Sequence, residues 1–224
     1  MLGVLIDEIA LPYNTEGLYI ASNFVKLEWF SSDRIDVVHF IKQSKKYRWS
    51  VIYRTNWWVT APHWTAVWDD AGDSYMVAYN NKLNNPLFWV VDMIAVSWYF
   101  ELSPINEPTL DEIKSAIKFT TVHNQRWQNV YQEVMNFYSK WNKPVMFGEL
   151  WFPSKAWAAA QPWNNLTVNA DSQSNQANLF QWYLETFWDT EGFGWFSVFV
   201  LWHDSSEYSV MWKQAQQTIT NYNK

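Results

Sequence analysis

Short continuous apolar runs alternate along this chain with longer stretches in which apolar residues recur at helical spacing. The runs predict strands buried on both faces of a sheet, and the periodic stretches predict amphipathic helices. The clearest run is Lys143-Pro-Val-Met-Phe-Gly-Glu149. Pro144 opens it, as suits the first residue of a strand, and Gly148 permits a bend or the close approach of another group. Three similar runs precede it, Leu18–Ala21, Trp49–Asn56 and Asp92–Phe100, and Gly194–Trp202 follows. Between them the pattern predicts the tail of a helix over 4–14, closed by Pro12 and Asn14. A second helix starts at Ser32 as N-cap, with Asp33 and Asp36 in its first turn and Ile35, Val38 and Ile41 as its apolar stripe. A third is opened by the capping box Thr109-Leu-Asp-Glu112 and runs to about Trp141, with a break near His123-Asn124. The last two run from Asp171-Ser172 to Trp188 and from Val210 to Asn221. A Trp-rich loop extends to about residue 85, and a long loop spans Pro153–Ala170.

A strand-then-helix unit repeated about five times predicts α/β architecture with a parallel sheet. No glycine-rich phosphate fingerprint follows any strand, which disfavours a nucleotide-binding fold. What remains is a TIM-type (β/α) barrel, complete or partial, occupying residues 1–224 as a single domain with outer helices. In such folds function sits at the carboxyl ends of the strands.

Composition sharpens this toward a flat ligand. The chain has 224 residues with 18 Trp, 14 Phe and 12 Tyr, while charged residues are only 17%. Trp is seldom fully buried and stacks well on flat apolar faces, so the surplus suggests a cleft for sugars. The alternative is an aromatic-rich chain without such a cleft. A net charge of −6 without a long basic run argues against nucleic acid. With no cysteine, there is no disulfide and no Cys-based zinc site. His39, His63 and His123 have no ligand spacing, so neither a metal nor a cofactor is indicated. No apolar run approaches the ~18 residues of a membrane span. The N-terminal Met-Leu-Gly-Val-Leu-Ile-Asp-Glu lacks the basic n-region of a signal peptide. The compartment stays open.

At the strand ends stand Ser22-Asn23, Asn56-Trp57-Trp58, Tyr99-Phe-Glu101, Glu149 and Trp202-His203-Asp204. Amides, carboxylates and indoles on one rim suit the hydroxyls and ring faces of a sugar. Glu149, in a setting of Phe147, Trp151 and Phe152, is a candidate reactive carboxylate; the alternative is a rim glutamate in an ordinary salt bridge.

Asn56-Trp57, the strand Asp92-Met-Ile-Ala-Val-Ser-Trp-Tyr99 and the strand ending at Glu149 together resemble the last strands of clan A glycoside hydrolases. Pro162-Trp163 and the Gln-rich helix from Gln173 to Gln181 make the chain most similar to family 113, the β-mannanase family. The resemblance implies a retaining hydrolase of β-linked oligo- or polysaccharide. Glu149 would be the nucleophile and Tyr99 its hydrogen-bond partner, with Trp202 as the stacking floor. Asn56 and Trp57 would line the cleft, although a turn or cap role serves Asn56 equally. Trp58, Trp151 and His203 are further candidates for binding substrate. Loop packing serves Trp57 and Trp58 equally, ordinary aromatic packing at a strand end is the alternative for Tyr99 and Trp202, and a solvated loop pair with Asp204 is the alternative for His203.

The chain departs from the family pattern twice. Where the acid/base glutamate of the clan would end the fourth strand, Asn23 or Phe24 stands instead. Glu28 lies a few residues on and would have to swing in. Barrel strands one to three also have no counterpart. Five strands leave two open edges and an exposed apolar face. A partner chain, a second copy, or further sequence of a longer reading frame would close them.

Overall fold

The computed structural model describes residues 2–22, 31–43, 50–55, 83–98, 102–119, 130–164, 170–198 and 207–222. Five parallel strands pair in chain order: β1 (Gly17–Ser22), β2 (Ser50–Thr55), β3 (Met93–Trp98), β4 (Val145–Leu150) and β5 (Phe193–Val198). The helices are α1 (Leu2–Leu5), which continues as a π-helical turn over Ile6–Ala10, α2 (Ser31–Gln43), the short α3 (Leu87–Val90), α4 (Leu110–Phe119), α5 (Val130–Trp141), α6 (Gln173–Phe187) and α7 (Gln214–Tyr222). The sheet curls into part of a TIM-type barrel with helices on its outside. Among the described residues, β1 and β5 form its two edges.

The predicted strands all appear, with shifted ends. The helix expected from Ser32 begins at Ser31, so Ser32 lies inside the first turn rather than capping it. Two adjacent serines serve equally well as a helix start, and the pattern cannot choose between them. The short helix α3 is not legible as periodicity, because LFWV is too short to show a period. It is set by Asn85, whose side chain accepts the Leu87 N–H at 2.9 Å. The capping box forms as predicted: the Glu112 carboxylate accepts the Thr109 N–H at 2.7 Å, and the Thr109 hydroxyl accepts the Glu112 N–H at 3.3 Å. Those bonds to the charged form hold the Glu112 carboxyl below its ordinary range. The long predicted helix is present as α4 and α5, and the expected break at His123-Asn124 falls outside the described residues.

The two faces of the sheet differ sharply. Val51, Tyr53, Ile94, Val96, Val145 and Phe147 point outward and join the main core beneath the helices. Phe147 is 1% exposed and meets Tyr183 and Phe187 of α6 edge-on, at centroid distances of 5.8 and 4.9 Å. Full burial of one such side chain contributes about 1.5–3 kcal/mol. The alternate residues Ile52, Met93, Ala95 and Met146 point inward and form a small separate cluster.

Candidate active site

Strand β4 is buried along its whole length, as its apolar run predicts. A strict two-residue alternation would put Gly148 inward and Glu149 outward with Phe147. The pairing with β3 breaks that alternation. Val96 pairs Phe147 and Ser97 pairs Glu149, so Gly148 is an extra residue opposite no partner. This bulge turns the Glu149 carboxylate to the inner face near the carboxyl end of the strand.

There it meets a cation. Arg54 Nη1 of β2 stands 3.9 Å from Glu149 Oε2 and donates to the Gly148 carbonyl at 3.0 Å. Glu149 is 9% exposed. A β-carbon on Gly148 would lie 2.7 Å from Arg54 Cδ and 2.8 Å from Ala95 Cβ, so this position needs glycine for the close approach of a neighbour. The sequence allowed either a bend or a close approach, and the structure has both.

Deeper on the same face lies Tyr19 of β1. Its hydroxyl donates to Met146 Sδ at 3.3 Å and hydrogen-bonds Ser197 of β5. The first strand thus reaches the fourth and fifth across the curl. Burial pushes the Tyr19 phenol up, while the Ser197 bond and the charge of Arg54 pull it partly back. Ser97 is fully buried and pairs Glu149 in register.

The aromatic surroundings expected for Glu149 are corrected in part. Phe147 faces outward, and Phe152 packs on Phe180 and Tyr183 of α6 at 5.3 and 5.1 Å. Both follow the outer layer because the bulge separates their side of the strand from Glu149. Trp151 stacks on Tyr208 at 4.5 Å and 19°, a pair that joins the end of β4 to the segment before α7.

The loop after β4 is held by side chains of α6. Ser172 caps that helix, its hydroxyl accepting the Asn175 N–H at 3.2 Å. The Asn175 amide donates to the Lys155 and Ala156 carbonyls, each at 2.9 Å. The fully buried Gln176 donates to the Phe152 carbonyl at 2.7 Å. Lys155 bridges Asp171 at 2.7 Å and Glu207 at 3.2 Å. Hydrogen bonding and charge from Lys155 hold the Asp171 carboxyl below its usual range, and the same partners raise the Lys155 ammonium. Of the glutamines in this helix only Gln176 is buried in this way; Gln173 is exposed, and Gln181 donates to Glu185 at 2.7 Å on the surface.

Of the predicted site residues, Glu149 and Trp151 are placed at the rim. Asn23, Glu28, Asn56, Trp57, Trp58, Tyr99, Trp202 and His203 lie outside the described residues. Sequence reasoning missed Arg54, Tyr19, Ser97 and Ser197. Arg54 carried a readable signal: a cation at an inward position of the otherwise uncharged strand SVIYRT. Among the described residues no group of three or more His, Asp or Glu could hold a metal ion.

No protein-family model matches the chain, and no curated protein matches it. Solved structures do. A GH113 β-1,4-mannanase superposes with a TM-score of 0.62 at 18% identity, covering 96% of this chain and 58% of that one. The GH113 β-mannanase AaManA from Alicyclobacillus acidocaldarius, in complex with ManMIm, superposes with a TM-score of 0.63 at 14% identity, covering 99% and 61%. The chain therefore has the scaffold of these glycoside hydrolases and spans about three-fifths of their length, as a partial barrel.

Proposed function

We propose that the chain is a retaining glycoside hydrolase acting on β-1,4-mannan or mannooligosaccharides, with Glu149 as its nucleophile. The observation that carries this reading is the bulge in β4, which aims a nearly buried carboxylate into the inner face at the carboxyl end of a barrel strand. The likeness to GH113 β-mannanases supports the scaffold. A Glu149 oxygen attacks the anomeric carbon, the bond to the leaving oxygen breaks, and a covalent glycosyl-enzyme forms. Water then attacks that carbon, gives its proton to the carboxylate that served as acid, and the bond to Glu149 breaks. The leaving oxygen requires a proton, and the proposed donor is Glu28. Tyr99 orients Glu149, Trp202 forms the floor, and Asn56, Trp57, Trp58, Trp151 and His203 line the cleft.

A second reading is favoured by one specific observation. On the register that the resemblance to the clan implies, an amide or a phenyl ring, Asn23 or Phe24, stands in the sequence where the clan's acid is expected. Without a general acid, rates on natural substrates fall by about 10²–10⁴-fold. The chain is then a carbohydrate-binding protein on the same scaffold, able to turn over only substrates with good leaving groups. Reducing-sugar release from mannan, compared across wild type, Glu149→Ala and Glu28→Ala, decides between the two. The hydrolase reading expects both variants to be inactive. Mannan hydrolysis that survives Glu149→Ala refutes the nucleophile assignment. Wild type that is silent on mannan but quenches its tryptophan fluorescence with mannooligosaccharides supports the binding reading.

We further propose that a second copy or a partner chain covers the open edges of the sheet. A groove of ≈ 690 Å³ beside β5, lined by Trp188, Phe196 and Ile219 among others, supports this. Sedimentation velocity is expected to give a dimer or larger species, and a clean monomer contradicts it.

A further inference from the structure

Arg54 reaches from β2 past Ala95 of β3 to β4 and makes two contacts on adjoining residues of the same bulge. Its Nη1 donates to the Gly148 carbonyl at 3.0 Å and lies 3.9 Å from the Glu149 carboxylate. The first contact is a hydrogen bond to backbone that the bulge itself displays, so it fixes the guanidinium. The second exceeds hydrogen-bond length and acts through charge. The space for the side chain exists only because residue 148 has no β-carbon. Glycine at 148 thus makes room for Arg54, and Arg54 faces both the Gly148 carbonyl and the Glu149 carboxylate.

We infer that Arg54 is a positioning residue of this site, its guanidinium fixing the orientation of the Glu149 carboxylate toward the inner face. The inference rests on the hydrolase reading for its catalytic consequence, but the Arg54–Glu149 link itself does not depend on it. A purely structural role, in which Arg54 only closes the bulge through the Gly148 carbonyl, predicts lost stability and an unchanged turnover of the folded protein.

The test combines kinetics on an aryl β-mannoside with denaturant unfolding, using Arg54→Met, Arg54→Lys, Gly148→Ala, Glu149→Gln and the Arg54→Met/Glu149→Gln double variant. Misplacing a reacting group by about 1 Å costs on the order of 10²-fold. Arg54→Met is accordingly expected to lower kcat by about 10- to 100-fold with KM within about threefold, and Arg54→Lys to regain at least part of that loss. Gly148→Ala, by displacing Arg54, should lower kcat in the same manner. In unfolding, the double variant should deviate from additivity by about threefold or more in the equilibrium constant. A kcat for Arg54→Met within about twofold of wild type, or additive unfolding effects, overturns the inference. If Arg54→Met does not fold, Gly148→Ala carries the kinetic test, and its unchanged kcat overturns the inference. Wild type that releases no aryl leaving group, while the unfolding cycle stays coupled, refutes the hydrolase reading and upholds the Arg54–Glu149 link. Turnover with an additive cycle refutes the link alone.

Discussion

The outer face of the sheet and the inner face are made by the same five strands, yet they obey different rules. Outward, Tyr53, Phe147 and their neighbours meet helix side chains in one continuous core, with edge-on aromatic contacts such as Phe147 against Phe187 at 4.9 Å. Inward, a cluster of four apolar residues is followed toward the rim by Arg54, Gly148, Ser97 and Glu149. The outer face holds the fold together, and the inner face carries groups that cost stability unless paired. A single bulge at Gly148 moves Glu149 from the first environment to the second. Chemistry at the rim is thus added to a scaffold stabilised elsewhere, so mutations on the two faces should separate stability from activity.

The largest expected effect breaks the inner face alone. Glu149→Gln should reduce glycoside turnover on the order of 10⁴-fold, while its unfolding midpoint stays near that of wild type. An equal loss of stability would mean that the two faces are not separable. On the outer face, Phe147→Ala should cost about 3–5 kcal/mol in denaturant unfolding through the cavity it leaves. The KM of the fraction still folded should be unchanged. Gln176→Ala removes the buried amide that holds the Phe152 carbonyl and should cost about 1–3 kcal/mol. It should also loosen the loop after β4, seen as faster proteolysis between residues 153 and 170. Thr109→Ala removes an exposed helix cap, costs about 1 kcal/mol, and should leave activity alone.

A pH dependence is expected at the Trp151–Tyr208 stack. Burial pushes the Tyr208 phenol from its ordinary 10.0 up to about 12. Below pH 10 the phenol is protonated in both folded and unfolded chains and contributes no slope. Above it the unfolded chain releases the proton while the fold retains it, so stability falls until about pH 12. Tyr208→Phe should lose less stability than wild type between about pH 10 and about pH 12. Equal losses would place that phenol in an unperturbed setting.

Much of the scaffold was legible in the sequence because each strand is a short apolar run and several helix starts carry their own chemistry, as at Thr109 and Ser172. Strand direction was legible for the same reason, since alternating units predict a parallel sheet. The position of Glu149 at a strand end could be read directly. Its direction could not, because a bulge is a property of the pairing between β3 and β4 and leaves only a glycine in the sequence. Likewise, Phe147 and Phe152 are near Glu149 along the chain yet belong to the outer layer. Arg54 was visible as an odd charge in an otherwise uncharged strand, but its partner lies 94–95 positions on in the sequence, across the sheet. Tyr19 and Ser197 meet only because the sheet curls, and no local pattern encodes that distance.

The central claim, that Glu149 is the nucleophile, is tested most directly by covalent trapping. An aryl 2-deoxy-2-fluoro-β-mannoside with a good leaving group needs little help from a general acid and slows release of the glycosyl-enzyme. After incubation, peptide mass spectrometry should find the fluorosugar on Glu149 in wild type and no label in Glu149→Gln. A label on another carboxylate, or an unlabelled Glu149 after the aryl group has been released, contradicts the account.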